Sequence, residues 1–292
     1  MRTLIVGDIH IKEEAIPEIT SIFENDIFPI KADRFIQLGD WFHFNRPTPT
    51  ELVYSVKLVA YLKQHYKEVI ILSGNGEHDL LHDESTISHL ASLGVKTVRG
   101  DYIEDNILYG HFMIHESRMA FGTGRMGIKD LAKYQFVFLG HQHSPEVLGA
   151  EEAIYHVGSI RHVSFNEVTD RKGVIVLEGE KLTFIPITHC YPMIDVTDVS
   201  ILSQLNPMTK VRFVVKSFEE YKNLASELNR FGKRFFQFKI KHDYVEYKKL
   251  DLMSNKLDST KTTKSNIIQS YIDKIEDKDV REILDKQFKE NT

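Results

Sequence analysis

The sequence predicts an α/β fold: a two-sheet sandwich flanked by helices, followed by a small α+β capping domain and a C-terminal helical hairpin. Three observations predict it. Short apolar runs ending in glycine alternate with amphipathic stretches early in the chain, later runs are separated only by polar turns, and the pattern breaks near residue 191, where a new β-α-β unit begins.

TLIVG (3–7), RFIQLG (34–39) and VIILSG (69–74) have the length and composition of buried strands. Between them, AIPEITSIFEND and TELVYSVKLVAYLKQHY place apolar residues at three- and four-residue intervals, with Thr50 as the expected N-cap of the second helix. A β-α-β-α-β order implies parallel strands with helices packed on the sheet. ILYGH, FVFLGH, AIYHVGS, GVIVLE and KLTFIPI follow without intervening helices, so a second, mostly antiparallel sheet is expected.

The sandwich is expected to span residues 1–190 and the capping domain 191–253. In the latter, KVRFVVK and RFFQFKIK read as strands around a helix opened by a capping box at Ser217–Glu220. Arg212, Lys216, Arg230, Lys233, Arg234, Lys239 and Lys241 make it locally basic, which reads either as solvated surface charge or as a contact for a phosphate backbone. Residues 254–265 are nearly devoid of apolar side chains and read as a flexible linker. Residues 266–292 form two short amphipathic helices that either fold back on the chain or dock on a partner helix.

The 292 residues are 42% hydrophobic, enough for one large core and a satellite domain. One cysteine, Cys190, excludes an internal disulfide framework and a cysteine-rich zinc site, and a reducing cytoplasm is expected. No apolar run approaches membrane-spanning length, so no membrane is expected. A formal net charge of −5 argues against a chain that coats nucleic acid by bulk charge, yet bound metal ions offset local acidity where a phosphate approaches.

The chemistry lies at the strand ends. Asp8 and His10 follow the first strand, Asp40 the second and Asn75 the third, while His111, His141 and His143 end later strands. Carboxylate, imidazole and amide oxygen together suit borderline-hard divalent ions such as manganese or iron. Seven such ligands suffice for two ions, with Asp40 as the bridge across the roughly 3.5–4 Å that lets a metal pair hold a phosphoryl group and activate water.

GDIH, GDWFH, GN, YGH and GHQH, in this order, resemble the calcineurin-like metallophosphoesterase superfamily. GDWFHFNRPTP and YHVGSIRHVSFNE…KGVIVLE resemble, within it, the SbcD-type nuclease subunit that works with an SbcC-type ABC ATPase, including the bacteriophage recombination endonucleases. The resemblance covers nearly the whole chain. It implies two manganese ions held by Asp8, His10, Asp40, Asn75, His111, His141 and His143, with His43 contacting the scissile phosphate. It also implies a homodimer, a DNA-contacting cap and a tethered helical pair on the ATPase coiled coil. The stretch between the third strand and His111 is shorter than the family pattern, which implies a more open groove.

A second departure is SGNGEHDLL. In the family a histidine directly follows the asparagine and protonates the leaving oxygen, whereas here Gly76 and Glu77 separate Asn75 from His78. One reading makes Gly76-Glu77 a bulge that returns His78 to the metals with Asp79 behind it; the other leaves the site without its acid. Arg161, after the Gly158-Ser159 turn, is a candidate phosphate contact. The expected function is a manganese-dependent DNA nuclease subunit acting on DNA ends. A catalytically weak or inactive DNA-end-binding tether in the same complex and a stand-alone small-molecule phosphodiesterase are the alternatives.

Overall fold

The computed structural model describes residues 1–81, 84–120, 124–149 and 153–244. The linker at 254–265, the hairpin at 266–292 and the end of the capping domain lie outside the described residues.

The first sheet has six strands, in the order Lys181–Pro186, Gly173–Glu178, β1 (Arg2–Val6), β2 (Arg34–Gln37), β3 (Glu68–Leu72) and Lys96–Val98. β1, β2, β3 and Lys96–Val98 are parallel, and Gly173–Glu178 runs antiparallel to both of its neighbours. The second sheet has five strands, in the order Glu146–Leu148, Ile154–His156, Phe136–Gly140, Ile107–His111 and Tyr102–Glu104.

Two sequence expectations are corrected here. GVIVLE and KLTFIPI belong to the first sheet, not the second, and the second sheet is mixed, with its three central strands parallel. The signal lay in GVIVLE itself, whose five residues Gly173–Leu177 are all buried. A run apolar on both faces is a central strand, and a place beside β1 supplies cover on both sides.

Alternation along the strands builds the layers. Leu4 and Val6 of β1, Phe35 of β2, and Val69 and Ile71 of β3 face one cluster, which α1 (Ile16–Ile22) and α2 (Pro49–His65) close with Ile19, Ile22, Leu58, Val59 and Leu62. Ile5, Ile36, Ile70 and Leu72 face the other way, onto Tyr102, Tyr109 and Phe138 of the second sheet. Each fully buried aliphatic or aromatic side chain contributes about 1.5–3 kcal/mol relative to exposure, so this period-two pattern locks the register of both sheets.

α2 is capped by Thr48, not Thr50. Thr48 Oγ1 accepts the Glu51 N–H at 3.3 Å, the Thr48 N–H donates to Glu51 Oε2 at 2.8 Å, and Pro49 opens the first turn.

The chain divides into two compact units, one of Met1–Ile194 with Met208–Lys210, the other of Asp195–Pro207 with Val211–Thr292. The strands Met193–Val196, Lys210–Val215 and Gln237–His242, the first two of which begin in the first unit, form a sheet accompanied by a helix over Phe218–Gly232. Ser217 Oγ caps that helix through the Glu220 N–H at 3.0 Å. Two of the basic residues there are engaged within the unit. Arg212 forks onto Asp195 at 2.8 and 2.6 Å, and Arg234 donates to the carbonyls of Ser203 and Leu205 at 3.0 Å each.

Candidate metal centre

The loops leaving the C-terminal ends of the parallel strands converge on one site. Its backbone is unusual: His10, Asp40 and His141 all have positive φ, at 51°, 51° and 74°. Non-glycine residues adopt this region at a cost, and they concentrate where side chains must be aimed. Two glycines let the loops close on one another. A Cβ at Gly74 would lie 1.9 Å from Asp40 Oδ1, and one at Gly140 would lie 2.6 Å from Asp8 Oδ1.

One ligand atom from each of Asp8, His10, Asp40 and His143 falls within 4.8 Å of the others, and the same holds for Asp40, His111 and His141. Asp40 belongs to both groups. Asn75 adjoins the second: its N–H donates to Asp40 Oδ1 at 3.1 Å and its amide nitrogen lies 3.4 Å from His141 Nδ1. Six of the seven expected ligands therefore fall in these groups, and Asn75 lies beside the second, its Oδ1 accepting the Glu77 N–H at 2.8 Å.

The tautomers follow from the partners. His111 Nδ1 lies 2.8 Å from the Leu38 carbonyl, which can only accept, so Nδ1 carries the proton and Nε2 faces Asp40 Oδ1 at 3.2 Å. His143 Nδ1 lies 3.2 Å from Glu167 Oε1, which leaves Nε2 facing His10 Nε2 at 2.8 Å. This is the arrangement in which a second partner orients a ligating imidazole. Asp8 Oδ2 and His111 Nε2 are buried and make no hydrogen bond. Orphaned buried atoms of these types, clustered around a shared carboxylate, fit a pair of divalent cations.

Burial raises the Asp8 carboxyl to about 6, and the Asp40 charge adds to the rise. Burial alone would lower His111, but the carboxylates of Asp40 and Asp8 beside it raise it to about 9. Burial lowers His43 to about 4, with Arg161 and the neighbouring imidazoles adding to the fall.

Residues 76–79 form a turn in which the His78 and Asp79 N–H groups point at the Asn75 carbonyl, at 3.3 and 3.0 Å. The turn returns His78 to the site. Its ring centroid lies 4.6 Å from that of His10, and Nε2 is 3.7 Å from Asp40 Oδ2. His43 stands beside both, 5.4 Å from His10 and 5.8 Å from His78 between ring centroids.

Two details differ from the sequence reading. Gly76 has no positive φ and open space around its Cβ position, so the turn does not depend on glycine. Asp79 does not stand behind His78; its carboxylate, fully buried, accepts the N–H groups of Trp41, Phe42 and Gly74 at 2.8–3.1 Å. It ties the Asp40 loop to the end of β3. The partner of His78 is the His43 carbonyl, 2.5 Å from Nδ1.

Arg161 is buried at 5% exposure, with its guanidinium donating to the carbonyls of His10 at 2.9 Å and Ile9 at 3.4 Å. It lies 3.8 Å from Glu18, which Lys210 meets at 2.7 Å. This places Arg161 beneath the His10 loop as an anchor, a correction to the expected phosphate contact. Sequence reasoning missed Glu18, Glu167 and Lys172. Lys172 Nζ binds Glu167 Oε2 at 2.6 Å and the His143 carbonyl at 2.9 Å, so a buried ion pair holds the His143 loop. Beside His141 and His143 opens a cleft of about 520 Å³, lined among others by Arg118, Met119, Gln142 and Asn166.

A sandwich that gathers such a ligand set at its strand ends defines a metal-dependent phosphoesterase. The model of the calcineurin-like phosphoesterase family matches residues 1–193. The chain belongs to that family and is a metal-dependent phosphoesterase. Among curated proteins, none matches. Among solved structures, the chain is similar to the Pseudomonas putida nuclease MPE, at 18% identity over 63% of this chain and 87% of that one, with a TM-score of 0.34. It is also similar to Yfce, a phosphoesterase from E. coli, at 20% identity over 64% of this chain and 100% of that one, with a TM-score of 0.36. Among the described residues, no helix is long and apolar enough to cross a membrane.

Proposed function

We propose that this phosphoesterase is a manganese-dependent DNA nuclease subunit that processes DNA ends as a homodimer together with an SbcC-type ABC ATPase. The observation that carries the reading is the return of His78 to this ligand set, because it supplies an acid where a tether needs none. The sequence motifs GDWFHFNRPTP and YHVGSIRHVSFNE support the nuclease class.

Asp8, His10, Asp40 and His143 would hold one ion, and Asp40, Asn75, His111 and His141 the other. Bound divalent ions would hold the phosphoryl oxygens and activate the attacking water. Asp40 is the shared carboxylate, and Glu167 and the Leu38 carbonyl keep His143 and His111 aimed. His43, beside His10 and His78, would contact a phosphate oxygen. As the water oxygen bonds to phosphorus and the ester P–O bond breaks, His78, its Nδ1–H held by the His43 carbonyl, acts from the doubly protonated ring and gives the Nε2 proton to the departing oxygen, and the proton lost by the attacking water restores it. Glu77 is exposed and its backbone N–H donates to Asn75 Oδ1 at 2.8 Å, which helps close the turn that returns His78.

The test is degradation of linear DNA by the purified chain with manganese, with and without the ATPase partner, and EDTA as control. Activity on DNA supports the reading. Hydrolysis of small phosphodiesters alone, unchanged on deletion of residues 254–292, favours a stand-alone enzyme; inactivity on both, even with the partner, favours the tether.

A further inference from the structure

Phe44 follows His43 and is 52% exposed. A lone exposed apolar side chain is ordinary, but this one is held in a particular place. On one side the His43 N–H donates to the Ile11 carbonyl at 2.9 Å; on the other the Asn45 N–H donates to Glu77 O at 3.0 Å. The Asn45 side chain adds bonds to the carbonyls of Gly76 at 2.8 Å and Leu80 at 3.0 Å. Both neighbours of Phe44 are thus pinned. Its ring meets His43 edge-on, with centroids 4.5 Å apart at 68°. An aromatic face is therefore held in water at the rim of the His10, His43 and His78 cluster. Arg46, exposed two residues on, puts a cation on the same loop.

We propose that Phe44 is a stacking platform for an unpaired nucleobase next to the scissile phosphate. The inference rests on the nuclease reading and deepens it by naming the substrate class. A base inside a continuous duplex can lie on the Phe44 ring only after leaving its stack, so away from an end the site takes single-stranded or frayed DNA in preference to paired DNA. Stacking is sequence-tolerant because every base presents a π-face, and one stacked base is worth roughly tenfold in affinity. Arg46 is available to the phosphate of that nucleotide.

The experiment uses the full chain with manganese and single-stranded oligonucleotides in which one abasic residue is moved stepwise past the cleaved bond. Phe44→Ala and Phe44→Leu are expected to raise KM for the intact oligonucleotide about tenfold, and Phe44→Trp to stay near the parent. At one position the abasic residue should cost the parent that same factor and cost Phe44→Ala nothing further. Leucine keeps the apolar bulk and removes the ring, so a leucine variant as good as the parent would overturn the inference. Penalties that multiply at every position would also overturn it, with the nuclease reading intact. Hydrolysis of a small phosphodiester with no cleavage of any DNA would remove the nuclease reading and this inference together.

Discussion

His78 Nδ1 lies 2.5 Å from the main-chain oxygen of His43. A carbonyl only accepts, so Nδ1 is the protonated nitrogen of the neutral ring, and Nε2, 3.7 Å from Asp40 Oδ2, is the atom that exchanges protons with the site. One hydrogen bond thus couples the histidine after the turn to the loop that carries Asp40 and His43.

Of the three groups of candidate ligands among the described residues, Asp40 is common to the two that contain a carboxylate. Asp40→Asn is expected to abolish tight binding of both manganese ions, whereas Asp8→Asn should weaken one. Titration calorimetry should give two ions per chain for the parent, and a single ion retained by Asp40→Asn would refute the bridging role.

Glu167 has two jobs, orienting His143 and neutralising Lys172. Glu167→Gln is expected to weaken manganese binding by about 10–100-fold. It should also destabilise the protein, by at most about 3–5 kcal/mol, since buried Lys172 keeps only the more distant Asp170 carboxylate, at 3.7 Å. Glu167→Gln with Lys172→Met should recover much of that stability and none of the affinity. Chemical denaturation and metal titration on the same variants separate the two.

The same pair sets an acid limit on the metal-free protein. Burial would raise Glu167, but the hydrogen bond from His143 and the Lys172 charge lower it from 4.5 to about 2. Its folded value lies below its unfolded one, so the stabilisation is full above about 4.5 and is lost as pH falls toward 2, on the order of 3 kcal/mol in all. Denaturation in EDTA across this window should show the slope in the parent and a shallower one in the Glu167→Gln/Lys172→Met variant.

The two glycines of SGNGE should behave oppositely. Gly74→Ala drives a methyl group into Asp40 and is expected to abolish metal binding, while Gly76→Ala meets nothing within 4 Å and should stay within about 0.5 kcal/mol of the parent. Equal damage at both would contradict the geometry of the turn.

The placement of ligands at strand ends was legible because it is local: an apolar run, a glycine and a polar residue are read within ten positions. The Thr48 cap was equally local. Thr48-Pro49-Thr50-Glu51 carries a capping box with proline at the first helical position, and Thr50 competed only by adjacency to the apolar face. The Glu18–Arg161 contact and the Asp79 tether to Trp41 were not legible. They join residues far apart in sequence, and a buried carboxylate looks like any other until the fold supplies its donors. Which sheet GVIVLE joins was half legible, since its unbroken apolar run marked a central strand without naming its neighbours.

The central claim is that His78, displaced by two residues, donates the proton to the leaving oxygen. It is tested most directly by comparing His78→Ala with the parent on DNA and on a p-nitrophenyl phosphodiester, whose leaving group departs without protonation. The account predicts a loss of about 10²–10⁴-fold on DNA and a much smaller one on the aryl ester. Equal losses on the two substrates, or none on either, would contradict it.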